Sequence, residues 1–202
     1  MKEVIFATSN TSKSKRFAKG LLENNIKILT LKDLDLKLNV EENKTTAIEN
    51  ARIKARECFK LTNKPSMGMD DTLYIEGIPE SIQPGLFVRR VNGKTLTDEE
   101  MIKHYTNLVK KYSTDGRLNA KWVYGLVVIN EDGKESEYTW KKNNIYLVDK
   151  ASNTINEGYP LNSITKIKEL DKYLTDLTSK DIELTKVGES DVIEFIVKSL
   201  NN

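Results

Sequence analysis

At 202 residues, with 38% hydrophobic and 31% charged side chains, the chain has the make-up of a folded, water-soluble protein with one sizeable core, not of a disordered or membrane one. Its 32 basic and 30 acidic residues leave a net charge of +2, a balance that argues against a nucleic-acid partner, and no apolar run approaches the ~20 residues that span a bilayer. One cysteine, Cys58, and one histidine, His104, exclude an internal disulfide and a Cys/His zinc cluster, and point to a reducing, cytoplasmic compartment.

In chain order, the apolar run Val4-Ile5-Phe6 predicts a buried strand over 3–8, read as a first strand and not as a signal peptide. It breaks into Ala7-Thr8-Ser9-Asn10-Thr11-Ser12-Lys13 and opens a helix from Ser12 to about Asn24, with Phe17, Leu21 and Leu22 on one side. A short strand over 26–31 and a polar, irregular stretch from Asp33 to Lys44 follow. The next helix runs from Thr46 to about Leu61, with Thr45-Thr46 and Glu49 as a capping-box start. Ile48, Ala51, Ala55 and Phe59 share its apolar face, Cys58 is placed on the buried side, and Asn50 and Lys54 lie four apart on a neighbouring face. Pro65 interrupts the chain, and Asp70-Asp71-Thr72-Leu73 is expected at the start of a strand. A loop-rich stretch with Pro79, Pro84 and Gly85 leads to a helix over 97–112 that opens with Thr97-Asp98-Glu99-Glu100. Strands over 120–129 and 135–145 form a hairpin around Asn130-Glu131-Asp132-Gly133. Residues 149–163 read as loop and 189–200 as a closing helix. Helices and strands interleave over 1–202 with no linker, so the class is α/β, or α+β with a long mixed sheet.

Three groups separated in sequence carry chemistry. A strand that gives way to hydroxyl and amide residues and then to a helix with Lys13 in its first turn suits an anion, because the helix N-terminus offers backbone N–H groups and a positive dipole end. An ordinary N-cap has the same appearance. Glu42, Asn50 and Lys54 form the second group, and Asp70 with Asp71 the third. Lys13 and Lys54 suit phosphate charge; Glu42, Asp70 and Asp71 are hard oxygen ligands for Mg²⁺, and a carboxylate also accepts a proton from an attacking water. Adjacent strand residues point to opposite faces, so Asp70 and Asp71 do different jobs. Which of the two activates water, and whether Glu41 or Glu42 faces the metal, stays open. Trp140, Tyr146 and Tyr159 are candidates to stack on a base or to pack in the core.

Four stretches in order carry a resemblance: Ala7-Thr8-Ser9-Asn10 with Lys13, Ile48-Glu49-Asn50-Ala51 with Lys54-Ala55, Asp70-Asp71-Thr72-Leu73, and Pro84-Gly85-Leu86-Phe87 with Arg89-Arg90. Over residues 3–115 the chain resembles the noncanonical purine nucleoside triphosphate pyrophosphatases, the inosine/xanthosine triphosphate pyrophosphohydrolase family, with Thr72 where that family has serine. The resemblance implies an α/β fold, an elongated mixed sheet with flanking helices in a single domain over 1–202, with two lobes around a central nucleotide-binding cleft. It implies Mg²⁺-dependent hydrolysis of a nucleoside triphosphate to the monophosphate and pyrophosphate, usually by a homodimer. It implies that Thr8, Asn10 and Lys13 hold the triphosphate, that Lys54 grips phosphate, and that Glu42 and Asp71 serve metal and water activation with Asp70 beside them. Thr72 and Tyr159 complete the expected substrate contacts. The second half departs from the pattern. Asn156-Glu157-Gly158-Tyr159-Pro160 lacks the aspartate of the purine-reading loop, Gly188-Glu189-Ser190-Asp191 stands where a serine-histidine-arginine motif is expected, and no arginine follows Arg117. An altered base preference is therefore expected. The alternative is a nucleotide-binding or sensing protein without turnover on the same fold.

Overall fold

The computed structural model describes residues 1–41, 44–185 and 189–202. In chain order the elements are β1 (Lys2–Phe6), α1 (Thr11–Glu23), β2 (Ile26–Thr30), α2 (Ala47–Thr62), β3 (Ser66–Ile75), β4 (Arg90–Val91), β5 (Lys94–Thr95), α3 (Asp98–Tyr112), β6 (Arg117–Ile129), β7 (Glu135–Val148), β8 (Thr165–Ile167), β9 (Lys172–Tyr173), α4 (Ser179–Thr185) and α5 (Ser190–Asn201). Seven strands make one mixed sheet in the order β2-β1-β3-β6-β7-β8-β9, as the α/β reading expects, and β4 pairs with β5 separately. β1 runs parallel to β2 and β3, whereas β7, β8 and β9 are antiparallel neighbours.

The chain divides into two compact units, one of Met1–Asp71, Tyr124–Trp140 and Glu189–Asn202, the other of Thr72–Val123 and Lys141–Gly188. In the first unit the sheet is covered on both faces. Ala51 and Ala55 of α2 pack with Val127 and Ile129 of β6, and Cys58 packs with Ile5, Ala7, Leu29 and Leu31. On the opposite face Phe6 meets Phe17 of α1, with ring centroids 6.2 Å apart, and Gly20 of α1 lies against Ile193 of α5. The seat of α2 is made of glycine. A Cβ built on Gly68 of β3 would lie 2.1 Å from the Ala51 carbonyl oxygen, and one on Gly125 of β6 2.4 Å from the Ile48 nitrogen. In the second unit α3 buries Met101, Tyr105 and Val109 among Leu73, Ile75, Leu118, Ile145, Leu147 and Ile164.

The helix starts follow their sequence signals with one change. Thr97 and Glu100 form the complete reciprocal cap of α3. At α2, Thr46 accepts from the Glu49 N–H, but the Glu49 carboxylate takes the hydroxyls of Thr46 (2.7 Å) and Thr45 (3.3 Å) in place of a backbone group. Asp70 and Asp71 do not open a strand as expected. They stand in the middle of the ten-residue β3, because residues 66–69 are already buried in the same strand, with the Ser66 hydroxyl satisfied by the Lys64 carbonyl. The stretch read as loop after residue 149 also contains a 3₁₀ turn over Pro160–Ile164 and is followed by β8, β9 and α4, elements too short to show a hydrophobic period.

Candidate functional site

All the charged groups that make up the site belong to the first unit. Because side chains alternate along β3, Asp70 leaves the face that α2 covers and Asp71 the face that α1 covers. Each finds a lysine there. Lys54 Nζ of α2 lies 3.4 Å from Asp70 Oδ1, and Lys13 Nζ of α1 is hydrogen-bonded to Asp71 Oδ1. Side-chain exposures of 11% and 12% for the first pair, and 14% and 22% for the second, put both where water screens them little. Asn50, one turn before Lys54, is buried and accepts the Lys44 N–H at Oδ1, tying the incoming chain to α2.

Burial alone would push the Asp71 carboxyl up. The attraction of Lys13, its hydrogen bond, and the charges of Arg16 and Lys54 outweigh this and hold it below the ordinary 3.8 of an aspartate. A carboxylate held in this way adds stability that is fully present above its unfolded pKa and is lost as pH falls through the lower folded value. Urea midpoints are therefore expected to fall from pH 5 to pH 3. Asp71→Asn, which cannot titrate, should show a smaller fall over the same range; an identical fall in both proteins would remove Asp71 from the acid response.

The loop before α1 is an N-cap and keeps its cation. Asn10 Oδ1 accepts the Ser12 N–H at 3.0 Å, and the Asn10 N–H is donated to Thr8 Oγ1 at 3.1 Å. Both side chains thus shape the turn that presents Lys13. Thr72 lies in the second unit, 3% exposed, its hydroxyl donated to the Val123 carbonyl at 3.2 Å. Tyr159 also lies in the second unit, at the head of the Pro160–Ile164 turn. Glu42, expected as a metal ligand, and Gly188 lie outside the described residues.

Three other residues take the buried or packed place that the sequence reading offered for them. Tyr146 is 5% exposed and its hydroxyl is bonded to Asp171, which leaves no face for a base. Trp140 stacks on Tyr124 at 4.8 Å and 15°, and Tyr138 lies 5.7 Å from it. Cys58 is fully buried and burial pushes its thiol up, the wrong direction for a nucleophile. The residue that sequence reading misses is Arg16, which pairs with Glu189 at 2.5 Å. Its signal is present: Arg16 is three residues beyond Lys13, on the same side of a helix.

Lys13, Arg16 and Lys54 are matched by Asp70, Asp71 and Glu189, so the described charges balance. Among the described residues no three His, Cys, Asp or Glu side chains gather as a metal cage. A donor set of one hard carboxylate is what Mg²⁺ uses when substrate phosphates and water complete its shell, and Asp71 fits that requirement.

Fold and charge together define an α/β protein that presents lysine–carboxylate pairs on both faces of one central strand. The profile of the Ham1 family matches residues 4–159, and the chain belongs to that family, in keeping with the resemblance its four motifs carry. A dITP/XTP pyrophosphatase of Wigglesworthia glossinidia brevipalpis is 30% identical over 205 residues, covering 100% of this chain and 98% of the relative. One from Leptospira interrogans is 38% identical over 98 residues, 48% of this chain and 49% of the relative, so this chain spans about half the length of that protein. The solved Ham1 protein of Staphylococcus aureus superposes with a TM-score of 0.72 at 22% identity, over 96% of this chain and 98% of that one, a likeness of fold.

Proposed function

We propose that this chain hydrolyses a nucleoside triphosphate to the monophosphate and pyrophosphate. The observation that carries the reading is the pair of sheltered cations, Lys13 and Lys54, each held by a carboxylate of the same strand. The end-to-end relative named dITP/XTP pyrophosphatase supports it. Lys13 and Lys54 exchange their carboxylates for phosphoryl oxygens when substrate arrives, and neutralise charge that builds up as the bond to pyrophosphate breaks. Asp71, held to the ionised side, is a weak proton acceptor and a good ligand for a hard cation, so it would hold the metal together with Glu42. Asp70, on the other face with Lys54, then takes the proton of the attacking water. The divalent ion, Mg²⁺ in this reading, neutralises phosphate charge when bound. Thr8 and Asn10 fix the Lys13 turn, and this reading takes Thr72 and Tyr159 as further substrate contacts.

The base is a purine outside the common four nucleotides, with a preference shifted by the changed second half. A homodimer in the cytoplasm completes the reading; the single buried cysteine supports a reducing location, and among the described residues no helix is long and apolar enough to cross a membrane.

The test is product analysis with Mg²⁺ over inosine, xanthosine and the common ribo- and deoxynucleoside triphosphates. Pyrophosphate and monophosphate are expected in equal amounts, with Lys13→Ala raising KM about tenfold or more, a charge-assisted phosphate contact being lost. Release of orthophosphate alone, or binding without turnover of any nucleotide, would overturn the assignment.

A further inference from the structure

Arg16 is held from several sides in the first unit, and nothing in the reaction as described uses it. Its guanidinium donates to Glu189 at 2.5 Å, and its Cζ lies 5.0 Å from the Tyr124 ring centroid, 5.3 Å from Phe17 and 6.0 Å from Trp140. Tyr138 extends the ring stack to Phe195 of α5, with centroids 5.0 Å apart. Arg16 and Glu189 keep only 14% and 15% of their side-chain exposure. An arginine–carboxylate pair that far from water carries a desolvation cost that apolar side chains of the same volume would avoid. The surrounding rings offer just such a packing alternative, so a charge maintained there calls for a use.

Its position suggests the use. Arg16 follows Lys13 by one turn of α1, so the two cations project in line from one face of the helix. Lys13 is a point charge, whereas a guanidinium has five N–H donors in a planar fork and can serve a carboxylate and a phosphate together. We propose that Arg16 is a third phosphate-binding cation of the site, gripping the triphosphate beside Lys13, with Glu189 and the Tyr124–Trp140 stack holding its fork in place. This inference rests on the pyrophosphatase reading. Glu189 is then a positioning residue, acting through Arg16.

The experiment is calorimetric titration of inorganic tripolyphosphate with Mg²⁺ into the full-length wild type, Lys13→Ala, Arg16→Gln, Arg16→Lys and Glu189→Gln, with thermal midpoints recorded alongside. Arg16→Gln should weaken tripolyphosphate about tenfold or more, and raise KM for the nucleotide in parallel. Arg16→Lys, which keeps the charge and so guards against simple loss of fold, should recover part of the affinity. Glu189→Gln should weaken binding by less than Arg16→Gln. A lowered midpoint in Arg16→Gln with unchanged tripolyphosphate affinity would overturn the proposal and make the cluster a packing device. So would unchanged tripolyphosphate affinity with a new preference among bases, which would move Arg16 to the base. In either case, if Lys13→Ala still loses tripolyphosphate, the pyrophosphatase reading stands. A wild type that neither binds tripolyphosphate nor releases pyrophosphate overturns both.

Discussion

Asp71→Asn is expected to lower kcat for pyrophosphate release by about 10²–10³-fold, the scale on which an enzyme feels the loss of one group that supports charge stabilisation in the transition state. The substitution keeps size and hydrogen-bonding shape and deletes one charge. That charge has two duties in the proposed reaction: it holds Lys13 before substrate binds and offers a hard oxygen to the divalent ion afterwards. Asparagine serves poorly in both. Since Lys13, Arg16 and Lys54 all act on Asp71, its loss leaves a cationic site, and breaking a buried pair from one side costs about 3–5 kcal/mol. Stability and rate must therefore be read together, by urea unfolding and by kcat on folded protein. Triphosphate binding should survive or tighten, because fewer anions compete for the lysines. A kcat within threefold of wild type on folded Asp71→Asn would remove Asp71 from the chemistry.

The contrast between Asp71 and Asp70 is legible in the sequence alone, since alternation along a strand separates neighbouring side chains. What the strand's surroundings supply is where each one goes: Asp71 toward Lys13 and Asp70 toward Lys54. The helices α1, α2 and α3 are readable because each spans at least thirteen residues with a recurring apolar face and a capping residue before it. β8, β9 and α4 are not, because three, two and seven residues are too few to show a period. The Thr8-Ser9-Asn10 loop is ambiguous for a physical reason. Capping and anion binding draw on the same backbone N–H groups, and Asn10 spends its side chain on the cap while the loop keeps Lys13 for the site. Arg16 escapes notice because sequence ranks an arginine on a helix as a solvated charge. Only the return of α5 brings Glu189 to it.

Gly68→Ala should damage both stability and catalysis, although the residue touches no substrate. The added Cβ would stand 2.1 Å from the Ala51 carbonyl oxygen and 2.8 Å from the Ala55 nitrogen. Both are backbone atoms of α2, so no rotamer change relieves the clash and the helix itself must move away from β3. Overpacking of this kind costs about 1–3 kcal/mol, occasionally more, and the backbone contacts put Gly68 at the upper end. For a chain of this size that is a fall in Tm of about 6–12 °C. The helix that is displaced carries Lys54, and its partner Asp70 sits two residues beyond Gly68 on the same face of β3. A shift of about 1 Å at the helix widens a 3.4 Å pair and misplaces the cation, a displacement that can cost about 10²-fold in rate. Gly125 offers the control, because its Cβ would meet the Ile48 nitrogen at 2.4 Å, six residues before Lys54. Gly125→Ala should lower Tm comparably with a smaller loss of kcat, since it presses on the start of α2. Equal losses of kcat in the two variants would mean that catalysis follows global stability, and that the close seat of α2 on Gly68 does not itself position Lys54.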